Sequence, residues 1–208
     1  MADPEGTRSV FIIDDDPAIR LSLSRALRLR GFEVETYESA EAFLAAYDNH
    51  RLACLVLDYG MPGMSGLELQ KHLNDEGRQL PTIFITGHGG IPESVEAMKG
   101  GAIDFLEKPF RQSDLIERIH SALEMAADMQ ANSRALRETR ERFERLTPRE
   151  REIVDHILAH PAEVSSKEIG RHLDISPRTV DHHRARILEK LDVGSIVELI
   201  DLALRANR

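Results

Sequence analysis

The chain has 208 residues, 41% hydrophobic and 30% charged, which suits one large or two small globular domains. Its single cysteine, Cys54, excludes a disulfide framework and fits a reducing compartment. No apolar run approaches the ~20 residues of a transmembrane helix, and the opening MADPEGTRS is too polar and acidic for a signal peptide. The expectation is a soluble cytoplasmic protein with no membrane partner. The net charge of −9 is uneven: residues 144–208 hold 11 Lys/Arg and 12 Asp/Glu of the 27 and 36 in the chain. The acid excess therefore lies in the first two-thirds.

Val10–Ile13 reads as a short apolar strand ending in Asp14, Asp15 and Asp16. Pro17 opens a helix with Ile19, Leu23, Ala26 and Leu27 on one face, closed by Gly31. Glu33–Tyr37 alternates like a strand, and Ser39 to Asp48 reads as a helix. Ala53–Leu57 is an apolar strand that runs into Asp58, and Leu67–Leu73 lies on the next helix. Pro81–Ile85 is a strand ending in Thr86, Ile91–Lys99 a helix, and Ile103–Leu106 a strand followed by Glu107, Lys108 and Pro109. Ser113 is expected to cap the last helix of the series.

Five strands alternating with helices predict an α/β domain, a parallel sheet covered on both faces. Functional groups in such sheets gather outside the carboxyl ends of the strands. Asp14, Asp15, Asp58, Thr86 and Lys108 all fall at such ends. Three carboxylates at close range raise one another's pKa unless a cation is present. Mg²⁺, which prefers one or two carboxylates with waters and phosphate oxygens, suits them. An Asp beside such an ion can attack phosphorus and become an acyl phosphate. Lys108 and Thr86 would hold the phosphoryl oxygens, and Gly87 would leave room for the incoming group.

The segments DDDPAIR, LDYGMPGMSG, FITGHG and DFLEKPF, over roughly residues 8–125, resemble the receiver domain of two-component response regulators. The resemblance implies a flavodoxin-like, doubly wound five-stranded sheet. It implies that Asp58 accepts phosphate from a sensor histidine kinase. Asp15, Asp58 and the Gly60 carbonyl would bind Mg²⁺, with Asp14 acting mainly through water. Thr86 and Phe105 match the family's switch pair, Lys108 its phosphate-binding lysine, and Pro109 a proline that often follows a cis bond. Tyr59-Gly60 departs from the family, which often has a larger residue two places after the aspartate.

Residues 126–143 continue without proline or glycine as a helical linker. Ile119, Ala122, Ala126, Met129, Ser133, Leu136 and Phe143 follow a 3–4 spacing that suits either a dimer seam or a solvated spacer with one buried face.

From residue 144 the pattern is all helical. Thr147, Pro148 and Glu150 form a capping box before Ile153, Val154, Ile157 and Leu158. Pro161 stops that helix, and Ser165 with Glu168 offers a second box before Ile169 and Leu173. After a tight turn at Asp174-Ile175, Ser176-Pro177 caps a third helix, Arg178 to Leu191, and Ser195 begins a fourth. A short helix, a tight turn and a longer helix make a helix-turn-helix. Val180, Ile187, Leu188 and Leu191 point to the core. Arg178, Thr179, Asp181, His182, Ala185 and Arg186 lie opposite, flanked by Arg184 and Lys190, a local cationic stripe suited to DNA phosphates. His182 and His183 diverge by ~100° on a helix and make a poor metal pair.

The passage LTPRERE…EIGRHLDISPRTVDHHRARILEKLDV, in residues 144–208, resembles the LuxR-type output domain of the FixJ/NarL branch. The resemblance implies that the third helix enters the major groove. Asp181, His182 and Ala185 match the base-reading positions, and Arg178, Thr179, Arg186 and Lys190 would favour phosphates. Asp181 is a departure, since a carboxylate near DNA is repelled unless it accepts from a cytosine amino group. The resemblance thus implies a phosphorylation-dependent transcription regulator, not an enzyme, with domains at 1–125 and 144–208. It would dimerise when phosphorylated, bind double-stranded promoter DNA and work with RNA polymerase, most often as an activator. Two rivals are a haloacid-dehalogenase-like phosphatase, suggested by the D-x-D spacing of Asp14 and Asp16, and an adaptor whose helical tail binds protein.

Overall fold

The structure, a computed structural model, describes residues 8–47, 51–87 and 91–206, and for residues 91 and 92 the backbone alone. Asp48 of the expected second helix, and His88 and Gly89 of FITGHG, lie outside the described residues. The chain divides after Gln130 into two compact units.

In the first unit the elements are β1 (Ser9–Ile13), α1 (Pro17–Arg28), β2 (Glu33–Tyr37), α2 (Ala40–Ala46), β3 (Ala53–Asp58), α3 (Gly66–Asp75), β4 (Thr82–Thr86), α4 (Ile91–Lys99) and β5 (Asp104–Glu107), followed by the start of α5 (Gln112–Glu144). The five strands form a parallel sheet in the order β2-β1-β3-β4-β5. That is the flavodoxin-like doubly wound order, whose direction of winding reverses between β1 and β3. Ile13 pairs with Leu57, so the residues that follow, Asp14 and Asp58, leave the sheet side by side at the reversal.

The strands read as apolar runs because both faces of the sheet are covered. Along β3, Cys54 and Val56 point into a core with Val10, Ile12, Leu23, Leu27 and Ile119. Leu55 and Leu57 point into the opposite core with Phe11, Phe43, Leu69, Leu73 and Phe84. Local signals fix the helix starts. Asp16 caps α1 by accepting from the Ala18 N–H, with Pro17 in the first turn. Ser65 and Glu68 form a capping box on α3.

Two expectations are corrected. Ser113 lies inside the first turn of α5, which begins one residue earlier, and its hydroxyl donates to Asp114 Oδ1. Ile119, Ala122 and Ala126 are buried in the first unit, where Ile119 and Ala122 join its core, so they do not line a dimer seam. Of the remaining seam positions, Ser133 is exposed, Met129 and Leu136 are half-buried, and Phe143 packs against the core of the second unit.

The second unit contains the end of α5 with α6 (Pro148–Ala159), α7 (Ser166–Leu173), α8 (Pro177–Leu191) and α9 (Ile196–Ala206). Both expected capping boxes form, Thr147 with Glu150 and Ser165 with Glu168. Ser176 caps α8, and Ser195 Oγ accepts from the Glu198 N–H at 3.2 Å at the start of α9. The core joins Ile153, Val154 and Ile157 of α6 with Ile169, Val180, Ile187, Leu191 and Leu199.

Candidate functional site

Parallel pairing delivers the expected pocket at the carboxyl edge of the sheet. Asp14, Asp15 and Asp58 each place a carboxylate oxygen within 4.8 Å of the others. Asp14 is fully buried and Asp58 nearly so, whereas Asp15 is exposed. Lys108 reaches between the two buried acids: its Nζ donates to Asp14 Oδ2 at 2.8 Å and to Asp58 Oδ1 at 3.0 Å. The Lys108-Pro109 peptide is cis, and the Lys108 N–H donates to the Thr86 carbonyl at 2.7 Å.

These contacts set the electrostatics. Burial raises the Asp58 carboxyl above the ordinary range, Lys108 opposes that rise, and Asp14 and Asp15 add to it. Burial pulls the Lys108 ammonium down, but its bonds and attraction to Asp14 and Asp58 outweigh burial and hold it above its usual value. Cys54 is different: burial alone pushes its thiol up to about 12, which marks an inert core residue.

Two residues not singled out in the sequence place the acids. Arg20 Nη1 donates to the Asp14 carbonyl at 2.7 Å, bracing the turn that carries Asp14 and Asp15. Asp14 Oδ1 also accepts from the Asp16 N–H at 2.9 Å, so both its carboxylate oxygens have partners within the protein. Gly66 opens α3 against the back of Asp58. A Cβ there would lie 2.4 Å from the Asp58 carbonyl and 2.9 Å from the Phe84 ring, so no other residue fits without displacing the strand end. A Cβ at Gly60 or Gly87 would meet nothing within 4 Å, which leaves the mouth of the pocket open beside Asp58 and Thr86. Thr86 is buried at the end of β4. Phe105 is half-buried against the core on the α3 face, with its ring centre 6.3 Å from that of Tyr59.

The donor set fits Mg²⁺: hard carboxylate oxygens, gathered closely and open to solvent through Asp15. Among the described residues these three acids are the one group of potential ligands whose donor atoms already lie this close together.

The second unit presents a different surface. Asp174 adopts φ 55° and ends α7, and the Ile175 N–H donates to the Gly170 carbonyl at 2.9 Å. A Cβ on Gly170 would lie 2.6 Å from the Ile175 carbonyl, so glycine permits the tight turn between α7 and α8. Along α8, Arg178, Thr179, Asp181, His182, Ala185 and Arg186 are exposed together, as their spacing predicts. Val180, Ile187 and Leu191 face the core.

Lys190 is a correction. Its Nζ donates to the buried carboxylate of Glu150 at 2.6 Å and to the Arg145 carbonyl at 3.2 Å, so it ties α8 to the start of α6 instead of facing outward with the arginines. The departure at Asp181 has a local partner, since the Ser166 hydroxyl at the start of α7 donates to its carboxylate. Arg184 Nη1 donates to Ser166 Oγ at 3.0 Å and to the Val164 carbonyl at 3.1 Å, completing the tie between α7 and α8. The His182 and His183 rings stand 6.2 Å apart at 59°, diverging as neighbours on a helix must.

A strand-end aspartate bridged by lysine to a second acid, and a helix-turn-helix with an exposed cationic face, define a receiver joined to a DNA-binding output domain. Residues 10–120 match the response regulator receiver domain, and residues 144–203 match the bacterial regulatory proteins of the luxR family. The chain belongs to the response regulators with a LuxR-type output domain, a family of DNA-binding transcription regulators. It is 42% identical over 196 residues to the transcriptional regulatory protein FixJ of Rhizobium meliloti (strain 1021), covering 94% of this chain and 95% of that one. It is 40% identical to the response regulator protein TodT of Pseudomonas putida (strain F1), covering 94% and 85%. Among solved structures, that of the response regulator StyR matches with a TM-score of 0.82 at 39% identity, covering 96% of this chain and 99% of that one. Full-length FixJ from B. japonicum matches with a TM-score of 0.58 at 39% identity, covering 98% of each. The receiver implies a histidine kinase as partner, and the luxR-family domain implies DNA. Among the described residues no helix is long and apolar enough to cross a membrane.

Proposed function

We propose that Asp58 is the phosphoacceptor and that its phosphorylation controls promoter binding by α8. The observation that carries the reading is the double contact of Lys108 with Asp58 and Asp14. The ammonium is already held where a phosphoryl oxygen on Asp58 would need a counter-charge. A carboxylate oxygen of Asp58 attacks the phosphorus of a kinase phosphohistidine. The P–N bond breaks, its electron pair stays on the imidazole, and an acyl phosphate forms on Asp58.

Asp15, Asp58 and the Gly60 carbonyl would hold Mg²⁺, with Asp14 acting through water because both its oxygens already accept bonds. When bound, the ion supplies positive charge against three carboxylates and the entering phosphoryl group. Gly87 gives that group space, and the Thr86 hydroxyl turns toward it. Phe105 then moves inward, reshaping the surface of α4 and β5 into a face that pairs with a second copy.

Pairing presents two recognition helices to a two-half-site promoter. Arg178, Thr179 and Arg186 serve phosphates, while Asp181, His182 and Ala185 face base edges. Residues 126–143 serve as the linker. The protein acts in the cytoplasm, with RNA polymerase, as an activator. The test is intact-mass measurement after treatment with a small acyl phosphate donor and Mg²⁺, with DNA binding measured on the same sample. One added phosphoryl group and tighter binding are expected. Phosphorylation without any change in DNA binding would contradict the coupling.

A further inference from the structure

The output domain contains a cluster of imidazoles that DNA recognition does not use. His156 and His160 lie one turn apart on α6 and its cap, and His172 comes from the last turn of α7. Their ring centres are 4.8 Å apart for His156 and His160, 4.4 Å for His156 and His172, and 5.8 Å for His160 and His172. His156 is only 5% exposed, and among the described residues no group meets either ring nitrogen in ordinary hydrogen-bond geometry, although the Glu163 backbone lies close enough to act on it. His160 and His172 are exposed and cover it.

A buried donor or acceptor left unsatisfied destabilises the fold. An apolar side chain at position 156 would fill the same space without that cost, so the imidazole calls for a ligand. The spacing says which kind. Zinc holds imidazole nitrogens at about 2.0–2.1 Å in a tetrahedron, which sets neighbouring ring centres about 5 Å apart. All three separations lie close to that value.

We propose that His156, His160 and His172 form a binding site for a divalent cation of the zinc class, which clamps α6 to α7. In the arrangement described, the His156 and His160 rings are nearly parallel, at 27°, so their nitrogens do not converge on one point. Rotation of the exposed His160 and His172 rings about χ2, a broad torsion, turns their edges inward. The same rotation gives up the 3.3 Å contact between His160 Nδ1 and the His156 carbonyl and frees that ring for the ion. Glu163, in the turn after α6, is near enough to act on the charge of His156 and offers a fourth, carboxylate ligand. Burial, then His172 and His160, keep His156 below its ordinary pKa and hence neutral, the form that binds metal. Nitrogen ligands select zinc, cobalt or nickel over Mg²⁺, so this site and the receiver acids are chemically distinct.

The test uses the full chain, stripped of metal and held in excess Mg²⁺ to occupy the carboxylate pocket, with Co²⁺ as the probe. One Co²⁺ should bind per chain with the intense visible absorption of a tetrahedral site, and Zn²⁺ should displace it. His160→Ala and His172→Ala change exposed positions and leave the core intact. Each should weaken Co²⁺ roughly tenfold or more, while the metal-free chain melts as the parent does. His182→Ala should bind Co²⁺ as the parent does. Absence of a tetrahedral signal under excess Mg²⁺, affinity unchanged in both variants, or loss of binding in His182→Ala would each overturn the proposal.

Discussion

Lys108 Nζ stands 3.0 Å from Asp58 Oδ1 and, in the same position, 2.8 Å from Asp14 Oδ2. Two buried acids from different strands thus share one cation carried by a third. Replacing Lys108 with Ala removes a phosphate-binding group but no metal ligand, because an ammonium can only donate. Mg²⁺ affinity of Lys108→Ala is expected to stay at the parent level or above. Its phosphorylation, or the dimerisation that follows, is expected to fall. Metal titration beside intact mass and sedimentation checks both, and parental behaviour in phosphorylation and dimerisation would remove the role given to Lys108.

Asp58→Asn keeps the shape of the strand end and removes the nucleophilic oxygen. Intact mass after treatment with a small acyl phosphate and Mg²⁺ should show one added phosphoryl group on the parent chain and none on the variant. Full labelling of the variant would place the acceptor elsewhere.

The ion pair between Lys190 and Glu150 predicts a stability effect. Burial raises the Glu150 carboxyl, but the Lys190 ammonium and the Thr147 bonds outweigh it and hold the group below its ordinary value of 4.5. A depressed carboxyl contributes stability above that ordinary value, and the contribution is lost as pH falls through the lower folded one. Glu150→Gln should therefore destabilise the output domain by about 2–3 kcal/mol at neutral pH, since Lys190 keeps some solvent. The gap from the parent should narrow in acid. Thermal melts at neutral and acid pH check this, and a gap that widens in acid would contradict it.

The same pair separates two roles on α8. Arg186→Ala should weaken DNA binding and reduce the slope of log affinity against log salt by about one. Lys190→Met should lower the melting temperature and leave that slope unchanged, because Lys190 is bonded within the domain. A slope reduced equally by both changes would return Lys190 to the DNA-facing set.

Much of this was legible in the chain because the signals were local. Asp14, Asp58 and Thr86 each end an apolar run, Lys108 follows the last strand, and parallel pairing alone brings them together. Thr147, Ser165 and Ser176 precede helices with the capping partners they need. What escaped depended on contacts between distant segments. Lys190 has the spacing of a DNA-facing residue, and only the packing of α6 against α8 supplies Glu150. Ile119 and Ala122 have the spacing of a seam, but the sheet takes that face of α5. Arg20 acts through a backbone carbonyl, which leaves no pattern of residue types. The i, i+4 spacing of His156 and His160 is visible in the sequence, yet the third ring comes from α7. Ser113 looked like a cap, but α5 begins one residue earlier.

The central claim is that a phosphoryl group on Asp58 produces a dimer that binds two half-sites. Linking two recognition helices raises affinity through effective concentration, without any new base contact. Analytical ultracentrifugation of the full chain before and after phosphorylation, beside DNA binding at one fixed salt concentration, tests it most directly. The unphosphorylated chain should sediment as a monomer and bind a two-half-site duplex weakly, and the phosphorylated chain should sediment as a dimer and bind it tightly. Phosphorylated protein that remains monomeric yet binds DNA more tightly would contradict the account.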